Sequence, residues 1–460
     1  MGPTAVQGVL VGAGPAGDLV HGESGDALLE QDFAGGGEDR VLEFGAAPPG
    51  RCHLPTFFAV VLRGPRPFVR PAAVCPARCR SPCEWYVPPK QGTGRTQFAV
   101  RYLPYPVLRG EDGFAVRVFG ITYDTGFRSA GTTTREPFDP ETVRREMLVI
   151  RQELHCDAVR VTGAEPDRLE TAARYAADAG LEVWLSPFTN GLTRPELFDL
   201  LVDCAGRAEK LRAGGAEVVL LTGSEISLFT DGFLPGGDYL ERAGVLADQA
   251  RFRALLPELH RTVNAFLAEV LAAVRPLFGG PIGYASLPFE GVDWAPFDLV
   301  ATDAGYRDAT NADRLLPGLR TLTGHGRPAA VTEFGCGSFT GAAALGARGD
   351  RAVVFDEHGR AARFAEPLDR NEQEQADYLT DLLAAFEPSG LDAAFVQTFA
   401  HYHLPGSDDP ERDFDRASFG IVRPLPPGRT STTHPGLPWE PKAAFHALAA
   451  HGRDRLRRRP

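Results

Sequence analysis

The sequence lacks an excess of positive charge. Among its 460 residues, 60 Asp and Glu outnumber 48 Lys and Arg, which gives a net charge of −12. A nucleic-acid-binding surface needs a basic face. The one dense basic stretch, 453–460, is typical of a solvated tail. We therefore expect no nucleic-acid partner.

Long apolar runs are also missing. None reaches the ~20 residues of a membrane-spanning helix, and no Lys or Arg precedes the apolar N-terminus as in a secretory signal. The seven cysteines are an odd number. Three of them, Cys156, Cys204 and Cys336, fall in predicted helices or strands. We expect no membrane partner, no disulfide framework and a reducing, cytoplasmic location.

Residues 1–113 lack sustained periodicity and are rich in Gly and Pro, which break helices and central strands. The glycine-rich segment 9–17 fits the turn of a dinucleotide-binding fold, but a poor helix follows it. Cys75, Cys79 and Cys83 are separated by prolines and do not follow a cluster-binding spacing. We expect neither a cofactor nor a metal in this part of the chain.

This N-terminal part is predicted to be a poorly ordered extension, or to result from a start codon assigned too early. The only methionine after Met1 is Met147, which lies in the first predicted helix of the regular part. A start at a valine-type codon shortly before residue 119 would leave only the regular part as native protein.

From residue 114 to residue 452, short β-branched or apolar runs alternate with amphipathic helices. We count eight such runs, at 114–124, 157–163, 181–188, 216–225, 281–290, 298–306, 328–335 and 393–402. Alternating strands and helices indicate parallel βαβ units. Eight of them predict an α/β fold of the (β/α)8 TIM-barrel class, with an open doubly wound sheet as the alternative.

In such barrels the active site forms at the carboxyl ends of the strands. The residues at these ends are Tyr123, Asp124, Arg160, Glu225, Glu290, Asp303, Tyr306, Glu333, His401 and His403. Glu225 ends the fourth strand and Glu333 the seventh, on roughly opposite sides of the barrel mouth. Two carboxylates that face each other across a pocket are typical of glycoside cleavage, in which one donates a proton and the other remains ionised.

The segments around these residues resemble the clan of retaining glycoside hydrolases built on this barrel. "VTEFG" (331–335) is similar to the strand that carries the nucleophile, and "AVRVTG" (158–163) to the strand that carries an arginine near it. "WEPKAAFHAL" (439–448) is similar to the final helix. The resemblance implies that Glu333 is the nucleophile and Glu225 the acid/base.

The resemblance also implies that Arg160 and Tyr306 orient Glu333. The chain departs from the clan at Ser224, where the clan usually has Asn, and at "QTFAHYH" (397–403), where it often has Trp. More closely, residues 119–450 resemble actinobacterial barrel proteins labelled "abortive infection protein", through "GITYDTGF", "FDPETVRREM", "GVDWAPFD" and "FDRASFGIV".

The remaining strand-end residues have competing interpretations. Tyr123 and Asp124 are candidate substrate contacts, although Asp124 equally suits a capping role. Glu290 suits the pocket rim, and Trp294 suits either a sugar platform or the core. His401 and His403 would point to one face of a strand, as metal ligands do, but no further His ends another strand, and we interpret His401 as a substrate contact.

The sequence therefore predicts a glycosidase that cleaves O-glycosidic bonds of an oligosaccharide or small glycoside by retaining double displacement, without metal or cofactor. The alternatives are a non-catalytic carbohydrate-binding or phage-defence-associated barrel, and a biosynthetic enzyme that uses the two carboxylates for acid/base chemistry on a non-sugar substrate.

Overall fold

The computed structural model describes residues 116–129, 132–356 and 358–458, and the backbone of two short strands, Arg40–Glu43 and Ala59–Leu62. These two strands pair antiparallel with each other. The predictions for the rest of residues 1–113 fall outside the described residues.

Eight parallel strands form a closed barrel, each paired with its neighbours in chain order. The eight strands are β1 (Val118–Asp124), β2 (Ala158–Gly163), β3 (Glu182–Pro187), β4 (Val218–Ser224), β5 (Ile282–Ser286), β6 (Val300–Thr302), β7 (Ala329–Phe334) and β8 (Ala393–Val396). Each lies within one of the eight predicted runs. The prediction of a (β/α)8 barrel is confirmed.

Helices connect the strands and cover the outside of the barrel. The longer helices are α1 (Pro140–Gln152), α2 (Pro166–Asp178), α3 (Arg194–Ala213), α4 (Tyr239–Ala247), α5 (Gln249–Val274), α6 (Leu315–Thr323), α7 (Glu372–Phe386) and α8 (Ala443–Arg458). Capping residues and prolines in the sequence set the first residue of several of these helices. Asp139 caps α1 by accepting from Thr142 N at 2.9 Å, and Pro140 occupies its first turn.

The lower part of the barrel interior is an apolar plug. Alternate residues of the strands fill it, many of them alanines, and Trp184 and Phe395 supply the bulk, with ring centroids 4.8 Å apart. Gly120 makes this possible, because a Cβ at this position would lie 2.4 Å from the Phe395 ring. The plug confines polar side chains to the upper, carboxyl end of the strands.

Two long connections cover that upper end. The segment between β7 and α7 contains a hairpin of Val353–Phe355 and Ala361–Phe364, and the segment between β8 and α8 contains a second pair, Val422–Pro424 and Trp439–Pro441. Within the described ranges, no helix combines the length and apolarity needed to cross a membrane.

A depression of about 590 Å³ opens at the opposite end of the barrel, lined by residues at the amino ends of the strands such as Glu182, Val218 and Pro328. In (β/α)8 enzymes this face serves stability, and chemistry is confined to the carboxyl ends. The size of this depression therefore does not make it the candidate site.

Candidate active site

Arg160 lies at the centre of the polar layer above the apolar plug and is fully buried. Its guanidinium donates to Glu333 Oε1 at 2.8 Å and to Asp303 Oδ1 at 2.9 Å. It also donates to Ser224 Oγ and Ser186 Oγ, each at 3.1 Å. Because a buried charge is costly unless it is paired, this one side chain ties the ends of β2, β3, β4, β6 and β7 together.

Glu333 reaches Arg160 because β7 carries an extra residue. Val331 pairs with Ala394 of β8 and Phe334 pairs with Val396, so three steps along β7 match two along β8. Strict alternation from the inward-facing Ala330 would turn Glu333 outward. The bulge re-aims it into the barrel.

The Glu333 carboxylate is held at both oxygens. Arg160 occupies Oε1, and the Tyr306 hydroxyl donates to Oε2 at 2.9 Å. Both glutamate and tyrosine are buried. Burial raises the pKa of Tyr306 well above its usual value, so the phenol keeps its proton and remains a donor.

Strand β4 has the same irregularity. Leu221 pairs with Gly283 of β5, and Ser224 pairs with Ala285, which brings Ser224 inward toward Arg160. Glu225 follows in the left-handed conformation, at φ 47° and ψ 39°, which costs a non-glycine residue about 1–2 kcal/mol. Such a conformation persists only where its surroundings impose it.

Those surroundings come from the end of β5 and the loop after it. Glu290 accepts from Ser227 N at 3.1 Å and from the Tyr284 hydroxyl at 2.8 Å, and this hydroxyl accepts from Ile226 N at 3.0 Å. The helical turn Ile226–Phe229 is thereby fixed directly after Glu225. The structure places Glu290 fully buried beneath this turn, and not at a pocket rim as the sequence had suggested.

The two glutamates differ in how their charge is stabilised. Burial raises the pKa of Glu225 well above its usual value, and repulsion from Asp303, Glu333 and Glu290 adds to the shift. Its Oε2 is buried without a hydrogen-bond partner. Burial also raises the pKa of Glu333, to about 8, with repulsion from Asp303, but Arg160 and Tyr306 oppose the shift. A proton shared by the pair is therefore best held by Glu225, and its presence there removes repulsion from Glu333.

Tyr123 lies outside this cluster. Its hydroxyl donates to Glu146 of α1, and so do Tyr402, Trp439 Nε1 at 2.9 Å and Arg135 Nη2 at 2.7 Å. The residue points from β1 to the helix layer and joins the outer core. The expectation that Tyr123 contacts substrate conflicts with this placement, because its only polar group is engaged between the barrel and α1.

Asp124 and Trp294 also have structural surroundings. Asp124 accepts from Gly126 N at 2.8 Å, from Phe127 N at 3.0 Å and from the Thr134 hydroxyl, which is the capping role considered from the sequence. Trp294 is buried in the outer core against Phe297, with ring centroids 5.5 Å apart. Neither geometry favours a substrate contact.

His401 and His403 lie in the segment after β8, with ring centroids 5.1 Å apart. His401 stacks on Phe419, which packs against Tyr306. Burial lowers the pKa of His401 well below its usual value, and that of His403 to about 3, so both imidazoles are neutral near pH 7. No group of three or more His, Cys, Asp or Glu within the described residues could hold a metal ion.

Sequence reasoning missed two members of the cluster. Asp303 was named among the strand ends without an assigned role, yet it accepts from Arg160 and from Ser224 Oγ. Ser186 was not considered. It follows Trp184 in the interior-facing alternation of its strand, and that alternation is the signal that could have found it.

Comparison with protein-family models and with curated proteins finds no match for the chain. Solved structures similar to it include a GH113 β-1,4-mannanase (TM-score 0.46, 16% identity, covering 74% of this chain and 99% of that one). They also include the GH113 β-mannanase of Alicyclobacillus acidocaldarius in complex with ManMIm (TM-score 0.44, 16% identity, 75% and 98%). A third is the β-glucuronidase of Parabacteroides merdae (TM-score 0.45, 12% identity, 72% of this chain and 36% of that one).

At these identities and scores the likeness concerns the fold alone. The assignment of the barrel fold depends on the strand pairing within this chain and not on these comparisons. No comparison bears on the resemblance to proteins labelled "abortive infection protein" or on a cytoplasmic location, and both stay predictions. The chain is described by its fold as a (β/α)8 barrel.

Proposed function

We propose that this protein is a retaining glycosidase, with Glu333 as nucleophile and Glu225 as general acid and base. One observation carries the proposal. Arg160 and Tyr306 donate to both oxygens of Glu333, whereas Glu225 has a buried oxygen without a partner. Two carboxyl groups whose surroundings separate their charge states are what this reaction requires.

The reaction would proceed in two steps. Glu333 attacks the anomeric carbon, the bond to the leaving oxygen breaks, and the proton of Glu225 passes to that oxygen. This gives a glycosyl ester on Glu333 and an ionised Glu225. The Glu225 carboxylate then takes a proton from water as the water oxygen attacks the anomeric carbon, which releases the sugar and restores both groups.

Arg160 and Tyr306 would act on Glu333 in both steps. Their donors stabilise the carboxylate before attack and again when it leaves the sugar. Asp303 and the two serines would hold the guanidinium in place, since each contacts Arg160. Double displacement requires a separation of about 5–5.5 Å between the carboxyl groups of Glu225 and Glu333.

The test uses Glu225→Ala and Glu333→Ala with activated aryl glycosides, with and without azide. Loss of a general acid lowers turnover by about 10²–10⁴-fold, less for a good leaving group. We expect azide to restore turnover of Glu225→Ala and to give a glycosyl azide of retained configuration. With Glu333→Ala we expect the inverted azide.

Glu366→Ala serves as a control, because Glu366 is exposed. It should behave as the unmodified protein. If wild type, Glu225→Ala and Glu333→Ala bind saccharide alike and none turns over any glycoside, the proposal fails in favour of the non-catalytic carbohydrate-binding or defence-associated barrel. Glutamate-dependent turnover of a non-sugar alone would favour the biosynthetic alternative.

A further inference from the structure

The carboxylate pair is enclosed by protein on the side where a substrate must enter. Glu225 and Glu333 are each 1% exposed. Tyr306 forms a buried apolar cluster with Ala347 and Phe419. Ala347 belongs to the segment after β7 and Phe419 to the segment after β8, so both long connections close against the tyrosine that contacts Glu333.

Ion pairs lock these two connections together. Arg370, just before α7, contacts Asp413 at 2.9 Å and Asp415 at 3.0 Å in the segment after β8. Asp415 also contacts the buried Lys442 at 3.3 Å. An internal unit of a polymer needs a groove that is open at both ends, because the chain leaves it in two directions. An enclosure fixed in this way fits a terminal unit, from which the chain leaves in one direction only.

Unpartnered buried polar atoms occur in this same region. They include Oε2 of Glu225, Oγ of Ser227, Oγ1 of Thr332, Oε1 of Gln397, Nδ1 of His401 and both ring nitrogens of His403, among other such atoms in the described residues. Gln397 continues the interior-facing row of β8 and is itself only half-buried. Buried polar groups are normally satisfied. Hydroxyl groups, which both donate and accept, suit a mixture of carboxyl, amide and neutral imidazole atoms.

The charges in this region disfavour an anionic ligand. The donors of Arg160 are engaged by Glu333, Asp303, Thr332 O and two serines. Lys442 is engaged by Asp415. The donors of Arg160 and Lys442 are thus engaged within the protein, and a ligand carboxylate beside them would be repelled by Glu225 and Glu333. Arg348, next to Ala347, contacts Asp308 at 3.5 Å and is a further cation beside the enclosing cluster.

Resting on the proposed function, we infer that the site accepts a single uncharged terminal glycosyl unit, with His401 and His403 binding its hydroxyls. The protein would then act from chain ends or on small glycosides, and neither within polymers nor on uronides.

Binding to full-length Glu333→Gln tests this without turnover. Calorimetry would compare mannose, glucose and galactose with the matching hexuronic acids, and with mannohexaose. We expect at least one neutral hexose to bind, its uronic acid to bind at least about tenfold more weakly, and mannohexaose to gain less than about tenfold over the best hexose. Tighter binding of a uronic acid, a larger gain for mannohexaose, or no binding of any neutral hexose would overturn the inference.

Histidine variants test the assigned contacts. His403→Phe and His401→Phe should each lower hexose affinity by about tenfold, the value of one lost hydrogen bond with its partner left unpaired. The exposed His325, changed to Ala, should leave affinity unaltered. Unchanged affinity in both phenylalanine variants, with melting temperatures that show folded protein, would contradict the assignment. The azide experiment tests the catalytic proposal separately, so either can fail alone.

Discussion

Replacing Tyr306 with Phe removes one hydrogen bond from the proposed nucleophile and leaves the ring in place. The Tyr306 hydroxyl donates to Glu333 Oε2 at 2.9 Å in a buried setting. A hydrogen bond to a charged group contributes about 1.5–3 kcal/mol. Since about 1.4 kcal/mol corresponds to one pKa unit, the pKa of Glu333 should rise by about one to two units in the variant.

The pH dependence of kcat/KM reports this shift. With an activated aryl glycoside the first step needs little help from Glu225, so the acid limb follows ionisation of Glu333. In Tyr306→Phe this limb should move up by about one to two units, and kcat/KM on the limb should fall by about 10–100-fold. Activity should recover as the pH rises above the new midpoint. Difference infrared titration against Glu333→Gln gives the same shift without a substrate.

Tyr378→Phe is the matched control. Tyr378 is equally buried, but its hydroxyl bonds the backbone of Arg307, accepting from N at 2.7 Å and donating to O at 2.8 Å. This variant should lose stability without moving the acid limb. An unmoved limb in Tyr306→Phe, or equal movement in both variants, would refute the assignment of Tyr306 as a group that, with Arg160, lowers the pKa of Glu333.

Three further variants test the structure. Burial raises the pKa of Glu225 in the folded state above its unfolded value. The stability that protonated Glu225 contributes is therefore present at low pH and is lost as the pH rises. Glu225→Gln should accordingly have a higher melting temperature than wild type at pH 8 and the same one near pH 4. Gly305→Ala would place a Cβ 2.5 Å from Glu333 O. It should lower the free energy of unfolding in denaturant by about 1–3 kcal/mol and should also lower activity. Gly318→Ala, in open space on a helix, should leave the free energy of unfolding unchanged or raise it slightly. Glu146→Gln removes the charge opposite the buried guanidinium of Arg135 at 2.7 Å and should cost about 3–5 kcal/mol by the same assay. Stability as little changed as in Gly318→Ala would contradict the buried pair.

The barrel was predictable because its signal is repeated. Each of the eight strands is a short apolar run that ends in small or polar residues, and amphipathic helices separate them. Strand ends were also predictable, which brought Arg160, Glu225, Tyr306 and Glu333 into one list. Parallel strands then require their carboxyl ends to meet at one face.

Side-chain direction was not predictable in the same way. Strand β1 is buried on both faces, so its sequence gives no polar side from which to set the parity. Tyr123 was therefore assigned to the site, although it faces α1. In β4 and β7 the parity changes at a bulge. Gly223, at φ 99°, is a mark of the bulge in β4, whereas nothing in "VTEFG" marks the one in β7. The β7 bulge brings Glu333 to Arg160, and the alternation of apolar and polar residues does not show it.

The cluster also lowers stability, and this bears on its role. Glu225 and Glu333 lie near a single guanidinium, and burial disfavours the charged form of both. Glu225 adds a left-handed backbone and an unpartnered buried oxygen. An apolar plug of the kind that fills the lower barrel would avoid these costs, and nothing in the fold requires carboxylates above it. An arrangement that costs stability in this way is what the proposed role of the cluster in chemistry predicts, because functional sites are where local rules for stability are broken.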